Sequence, residues 1–207
     1  MLLNTNIRGM NADAKQEAFY KVIGNEKPHV VCLNETKLRY DLYLSKYWAF
    51  QTLYDRKGGC WTAARCEQNV RLQLVKALGN YFCWTRLTTG HIQIQILNCY
   101  LECGESLYNK NRALRVLEIV RDILRQDANA AIVVCGDFNN HLPVIDGHLK
   151  QLNFTPALHD DVATHKLGNK LDQVYAKNID IVNAVVNSEL DHSITDHRCI
   201  KVTLKPT

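Results

Sequence analysis

Val133-Val134-Cys135-Gly136-Asp137-Phe138-Asn139-Asn140 runs from an apolar stretch into a glycine, then a carboxylate, then a carboxamide. Residues 131–135 predict a buried central strand, and its end at Gly-Asp-x-Asn delivers an anionic oxygen and a neutral amide to one edge of a sheet. Phosphoester cleavage needs that pairing. The carboxylate orients a water or a metal, and the amide holds a phosphate oxygen without repelling it. On its own such a corner is more often a turn, and three further polar clusters along the chain change that reading.

Working outward, residues 2–7 read as a short strand that ends at Asn6, and residues 30–33 as a second buried strand ahead of Glu35. Between them Ala14, Ala18, Phe19, Val22 and Ile23 recur at helical spacing over residues 12–23. Further strands are predicted over residues 58–64, 72–75, 81–87 and 91–99. In the last, Ile92, Ile94 and Ile96 alternate with Gln93 and Gln95, the pattern of a half-buried strand. Residues 108–125 carry Ala113, Val116, Leu117, Val120 and Leu124 on one helical face and basic residues on the other. Strands over 171–176, 182–186 and 199–204 complete the set. About ten strands against two clear helices, in mixed order, indicate a layered α/β or α+β sandwich.

The chain of 207 residues suits one domain, and its net charge of +4 permits a polyanionic partner without requiring one. No apolar run approaches the ~20 residues of a membrane span, and no signal-peptide pattern opens the chain, so neither a membrane partner nor secretion is indicated. There are eight cysteines. Cys32, Cys83, Cys99 and Cys135 fall inside apolar runs and no CxxC pair occurs, which argues for free thiols in a reducing intracellular compartment rather than zinc or disulfides. The end at Lys205-Pro206-Thr207, just after a strand, suits residues 1–207 being one domain excised from a longer polypeptide.

Asn6, Glu35, Asp137 with Asn139, and Asp196-His197 each stand at a strand end, and strand ends on one rim converge in space. The chemistry assigns roles. Glu35 suits a hard cation such as Mg²⁺, with Asp196 as a second ligand and Asn6 on the metal side. Asp172 would accept a hydrogen bond from one nitrogen of His197, leaving the other to face the scissile phosphate. Asp137 would position or deprotonate water, Asn139 would bind a phosphate oxygen, and Tyr100 would offer its hydroxyl to the transition state.

Asn6-Ile7-Arg8-Gly9, Leu33-Asn34-Glu35-Thr36-Lys37, Asn98-Cys99-Tyr100, Gly136-Asp137-Phe138-Asn139, Leu171-Asp172-Gln173-Val174 and Thr195-Asp196-His197 appear in the order found in the endonuclease/exonuclease/phosphatase superfamily, which this chain resembles from residue 2 to about 204. The resemblance implies a DNase I-like, four-layered α/β sandwich of two packed mixed β-sheets flanked by helices, with a divalent-metal phosphodiesterase site taking Mg²⁺ or Mn²⁺. Within the superfamily the chain looks most like the apurinic-endonuclease-like domain of non-LTR (LINE-type) retrotransposons. Thr164-His165 ahead of Leu167-Gly168-Asn169-Lys170-Leu171-Asp172 is similar to that branch. It places Thr164, His165, Asn169 and Thr195 on the substrate side with Arg8 and Lys37. Double-stranded DNA as substrate, a fused reverse transcriptase and action on chromosomal DNA in the nucleus follow as implications.

The chain departs from the family pattern at several points. Asn34 stands where relatives usually carry Gln; Arg8 replaces an Asp or Asn, trading a metal-ligand role for a phosphate contact; Leu101-Glu102 follow Tyr100 without the usual proline; Thr195 replaces Ser. His29, His91, His141, His148, His159 and His192 read as surface or turn histidines. Lys110, Arg112, Arg115, Arg121 and Arg125 read as a solvated helical face. Trp48, Trp61 and Trp84 read as core; Lys37, Arg39, Tyr40, Lys166 and Lys170 as backbone-contacting flanks; residues 38–55 and 140–155 as loops that read the target. The leading expectation is an Mg²⁺-dependent nickase leaving a 3′-hydroxyl for target-primed reverse transcription. The competing ones are a cellular abasic-site repair endonuclease, a small-molecule or lipid phosphatase, and a non-catalytic nucleic-acid-binding domain on the same fold.

Overall fold

The computed structural model describes residues 1–52, 57–187 and 194–206. In chain order the elements are β1 (Leu2–Asn6), α1 (Asp13–Glu26), β2 (Val30–Asn34), β3 (Tyr47–Gln51), β4 (Cys60–Arg65), β5 (Val70–Leu78), β6 (Phe82–Thr89) and β7 (Ile92–Tyr100). They continue with α2 (Leu107–Gln126), β8 (Ala131–Asp137), α3 (Leu142–Gln151), β9 (Thr155–Pro156), β10 (Asp172–Lys177), β11 (Asp180–Asn187) and β12 (Cys199–Lys205). One sheet has the order β11-β12-β1-β2-β4-β3 and the other β5-β6-β7-β8-β10-β9. β1–β2 and β7–β8 are parallel and the remaining pairs antiparallel, so both sheets are mixed.

Side chains that alternate along each central strand explain the layering. Leu2, Val30 and Cys32 point inward and meet Ile94, Ile96, Val133, Cys135 and Val174 of the opposing sheet. Leu3, Val31 and Leu33 point outward onto Phe19, Val22 and Ile23 of α1. On the far side Leu97, Ile132, Val134 and Tyr175 pack under Val116, Val120 and Ile123 of α2 and Ile145 and Leu149 of α3. The result is four layers, helix–sheet–sheet–helix, with central strands covered on both faces. That is why they read as unbroken apolar runs.

Several expectations need correction. β3, β9 and α3 carry no strong periodic signal in the sequence, yet they form. α3 occupies most of residues 140–155, so that stretch is not a target-reading loop. Residues 38–55 hold β3, and their last three lie outside the described residues, as does His192. β7 is not half-buried along its length. Ile92 is exposed, whereas Gln95 is buried and accepts a hydrogen bond from Trp84 Nε1 at 2.8 Å, on the face it shares with Leu97, which packs under α2. Trp48 lies on edge strand β3 and is 57% exposed; Trp61 is core. Arg112 and His141 are buried rather than solvated. All eight cysteines are free, and only Cys66 and Cys103 are exposed.

Gly136 is where the quoted stretch becomes obligatory. It pairs with Cys99 across the parallel β7–β8 ladder at φ +146°, and a Cβ there would fall 1.9 Å from the Cys99 carbonyl oxygen. Only hydrogen fits. Gly136→Ala is expected to cost about 4 kcal/mol or more, the range reserved for backbone and overpacking clashes. Gly147→Ala, in α3 with nothing within 4 Å of its added methyl, should instead stabilise by about 0.5–1 kcal/mol. Urea unfolding of the two variants beside the parent checks both signs.

Candidate active site

The parallel pairs β1–β2 and β7–β8 end on the same rim, and the antiparallel strands β10 and β12 begin there. Register aligns Tyr100 with Asp137 and Asp137 with Asp172 across one sheet, and Asn6 with Asn34 across the other. Every polar group predicted at a strand end therefore arrives at one place.

Asn6 is the tie between the sheets. Its Nδ2 donates to Glu35 Oε2 at 2.9 Å and to Asp137 Oδ2 at 2.7 Å, while its Oδ1 accepts the backbone N–H of Arg8 at 2.8 Å. Expected on the metal side, it holds two carboxylates at hydrogen-bond distance from one amide. Asp137 also accepts from the backbone N–H of Asn139 at 2.9 Å and from Asn139 Nδ2 at 3.2 Å. That Nδ2 further donates to the Leu101 carbonyl at 2.8 Å, so the Asn139 amide nitrogen is committed to holding Asp137 and not to a phosphate oxygen.

His197, just ahead of β12 in the sheet that carries Asn6, faces Asp137 across the sandwich. Nδ1 lies 2.8 Å from Asp172 Oδ2, as its sequence position predicted, and Nε2 lies 3.9 Å from both Asp137 Oδ2 and Asp196 Oδ1. Thr195 Oγ1 accepts the His197 backbone N–H at 3.2 Å and donates to the Asn6 carbonyl at 2.7 Å. Thr164 Oγ1 accepts the backbone N–H groups of Leu171 and Asp172 at 2.9 and 3.0 Å. Both threonines are buried, so they hold the site from beneath and present nothing to a substrate. Asn169 has an exposed side chain, and its backbone carbonyl accepts the N–H groups of Thr164 and His165 at 3.0 and 2.9 Å. His165 does enter the site. Its Nε2 is 3.2 Å from Asp196 Oδ2, and its ring packs edge-on against His197 at 5.0 Å.

Burial would lower the His197 pKa, but the charge of Asp172, their hydrogen bond, and the charges of Asp137 and Asp196 raise it to about 9. Burial first, and the nearby Asp172 charge second, push Asp137 well above the carboxylate range against the pull of His197, Asn6 and Asn139. Tyr100 is raised by burial and then by the charges of Glu35 and Asp137. Asp196 is raised by burial, but Arg8 and the hydrogen bond from His165 outweigh this and its pKa falls.

The donor set fits a hard divalent cation. Asp196 Oδ1 is buried without a hydrogen-bond partner, and Glu35, Asp137 and Asp196 offer oxygens, the preferred ligands of such ions. The groups His165–Asp196–His197 and Asp137–Asp172–His197 each bring three potential ligand atoms within 4.8 Å. The imidazolium of His197 is itself no ligand, since a protonated nitrogen has no free lone pair. The carboxylates are the ligand candidates.

Three supports escaped sequence reasoning. Asn34 Nδ2 donates to Asn98 Oδ1 at 2.6 Å and to the Cys99 carbonyl at 2.8 Å; Asn98 Nδ2 donates to Leu33 and Trp61 carbonyls and Thr62 Oγ1. This amide pair spans the two sheets under the rim. Arg112, between the rings of Tyr81 and Tyr108, donates to Asn80 Oδ1 at 2.9 Å and pairs with Glu102 at 3.2 Å. The Asn80 carbonyl takes the Gly59 N–H, and the Gly58 and Gly59 carbonyls take those of Lys37 and Thr36 beside Glu35. A polar residue ending an apolar strand was the available signal for Asn98. Arg112 had none, because a basic residue on a helix normally reads as solvated.

The model of the Endonuclease/Exonuclease/phosphatase family matches residues 3–197. The chain belongs to this family. No curated protein sequence matches it. Among solved structures it is similar to the endonuclease domain of TRAS1, a telomere-specific non-LTR retrotransposon (TM-score 0.71, 13% identity, covering 99% of this chain and 97% of that one). It is also similar to the AP endonuclease LMAP from Leishmania major (0.74, 15%, 100% and 87%) and a 3′-5′ exonuclease from Neisseria meningitidis (0.73, 15%, 99% and 99%). At these identities the likeness shows the DNase I-like fold. Endonuclease/Exonuclease/phosphatase members are typically divalent-metal dependent, in keeping with the acidic rim of this chain.

Without a cation the rim opposes folding as pH rises. Protonated His197 contributes stability that is complete below its ordinary 6.5 and lost as pH climbs through about 9. Asp137, also raised, adds a cost that grows from the ordinary carboxylate value of 3.8, where the unfolded group ionises and the buried one stays protonated, and levels off above about 8. Thermal melting in EDTA between pH 6 and 9.5 (~) should therefore show a falling Tm for the parent. Asp137→Asn should raise the metal-free Tm and flatten the slope, and His197→Gln should flatten it alone. Parallel profiles for all three would contradict the assignment.

Proposed function

We propose that this chain is a divalent-cation-dependent endonuclease that nicks one strand of duplex DNA and leaves a 3′-hydroxyl. The observation that carries the reading is the placement of His197 Nε2, 3.9 Å from both Asp137 and Asp196, with Asp172 bonded behind it. A phosphate seated there meets an imidazolium on one side and a carboxylate of raised proton affinity on the other.

Glu35, Asp137 and Asp196 would hold Mg²⁺ or Mn²⁺, which when bound supplies Lewis-acid polarisation of the phosphate. Asp137 orients a water and takes its proton as the P–O bond to that water forms. The P–O3′ bond breaks, and the departing oxygen becomes a hydroxyl with a proton from solvent. His197 donates to a non-bridging oxygen as negative charge gathers there, and Asp172 keeps it charged and oriented. The hydroxyl of Tyr100, at the end of β7 beside Asp137, supplies a neutral donor on the same rim.

The retroelement reading draws on Thr164-His165 and the Leu167–Asp172 segment, and on the mutual coverage with the TRAS1 endonuclease domain. It extends the proposal to a domain of a larger polyprotein whose reverse transcriptase primes from the nick in the nucleus. Among the described residues no helix is long and apolar enough to cross a membrane.

Supercoiled plasmid tests the function. The parent should convert it to open circles with Mg²⁺ and not with EDTA, and a DNA polymerase should extend the nick. Asp137→Ala and His197→Ala should each lose about 10²–10⁴-fold in rate, the usual worth of a positioned acid or base. Variants nicking at the parental rate would refute the catalytic assignment. Cleavage of an abasic duplex with intact plasmid left untouched would favour a repair enzyme.

A further inference from the structure

The two carboxylates nearest the mouth of the site each already carry a cation from the chain. Lys37 Nζ lies 2.6 Å from Glu35 Oε1, and Arg8 Nη1 lies 2.6 Å from Asp196 Oδ2. In both pairs the anion is sheltered and the cation is outside: the Glu35 and Asp196 side chains are 15% and 11% exposed, those of Lys37 and Arg8 34% and 51%.

The backbone under these pairs is held. Arg8, Glu35 and Lys37 sit in the left-handed region at φ +51°, +52° and +49°, a conformation such residues keep only when surroundings over-determine it. Here Gly9 N–H donates to the Glu35 carbonyl at 2.7 Å, Met10 N–H to the Thr36 carbonyl at 2.9 Å, and Lys37 N–H to the Gly58 carbonyl at 2.8 Å. Any rearrangement is left to the two long side chains.

Half-exposed monovalent pairs are weak. A hard divalent ion brings twice the charge and prefers carboxylate oxygens, so it displaces the ammonium and the guanidinium from Glu35 and Asp196. The freed cations then stand at the rim, where a phosphodiester backbone must approach. We propose that Arg8 and Lys37 form a phosphate grip released by the metal: cation binding at Glu35 and Asp196 hands both side chains to the DNA backbone, so the site takes its metal first and its polyanion second. The proposal rests on the metal-dependent nuclease reading above. By linkage, DNA tightens cation binding by the same factor.

The test reads binding, not cleavage. Fluorescence anisotropy of a labelled duplex oligonucleotide is followed against monovalent salt, in EDTA and in calcium, for the parent, the single variants Arg8→Gln and Lys37→Gln, and the double variant. Gels confirm the oligonucleotide intact, and calorimetry with calcium alone follows cation binding. Each phosphate contact adds about 0.9 to the slope of log affinity against log salt. The difference in slope between parent and double variant, which cancels calcium's own competition at the phosphates, should be near zero in EDTA. In calcium it should be about 2, with each single variant accounting for about half. An equal difference in both conditions overturns the grip while leaving the metal site standing. Failure of the parent to bind calcium overturns both.

Discussion

Carboxylates repel one another, and this fold drives four of them, Glu35, Asp137, Asp172 and Asp196, to a single rim. The apolar layer between the sheets and the helices outside them anchor the strands whose ends bear these charges. Strand register then leaves the side chains no room to separate. What makes the crowding tolerable is a set of neutral and cationic partners of the right reach. Asn6 donates to two of the carboxylates, His197 lies between the other two and Asp137, and Arg8 and Lys37 close the outside. The reactive groups and the destabilising groups are thus the same atoms.

Backbone conformation carries part of that load. Arg8, Glu35, Lys37 and Asn139 all adopt left-handed φ values, and each belongs to a segment that reaches the rim. Three of them, Arg8, Glu35 and Asn139, lie within two residues of a strand end, where the chain must turn abruptly to present a side chain back across the sheet edge. Their strain persists because hydrogen bonds from neighbouring segments fix both sides of each turn. Arg112 belongs to the same economy: a buried cation on α2 ties the Asn80 turn, and through it the Gly58-Gly59 corner, to the loop after Glu35.

The central strands were legible because burial on both faces demands continuous apolar runs, and residues 131–135 and 30–33 supply them. The Asp172–His197 bond was legible because Asp172 begins one strand and His197 stands just ahead of another on the same rim. Edge strand β3 was not, since half its surface faces water and tertiary pairing with β4 decides its conformation. α3 was hidden by its Pro143 and Gly147, which read as loop residues; the proline falls in the first turn, where its missing N–H costs nothing. The bonds that Thr164, Thr195 and Asn139 make within the protein were not legible, for one shared reason. A polar side chain beside a site is as easily spent on backbone groups beneath it as on a ligand above, and only geometry tells the two apart.

The Asn34–Asn98 bridge has a mutational corollary. Asn34 reaches across the sandwich because a second amide meets it from β7. Both side chains are fully buried, so lengthening Asn34 adds a methylene where nothing faces water, and removing Asn98 strips its neighbour of an acceptor. The two amides form a single clasp between the sheets, and damage to either half is felt by the other.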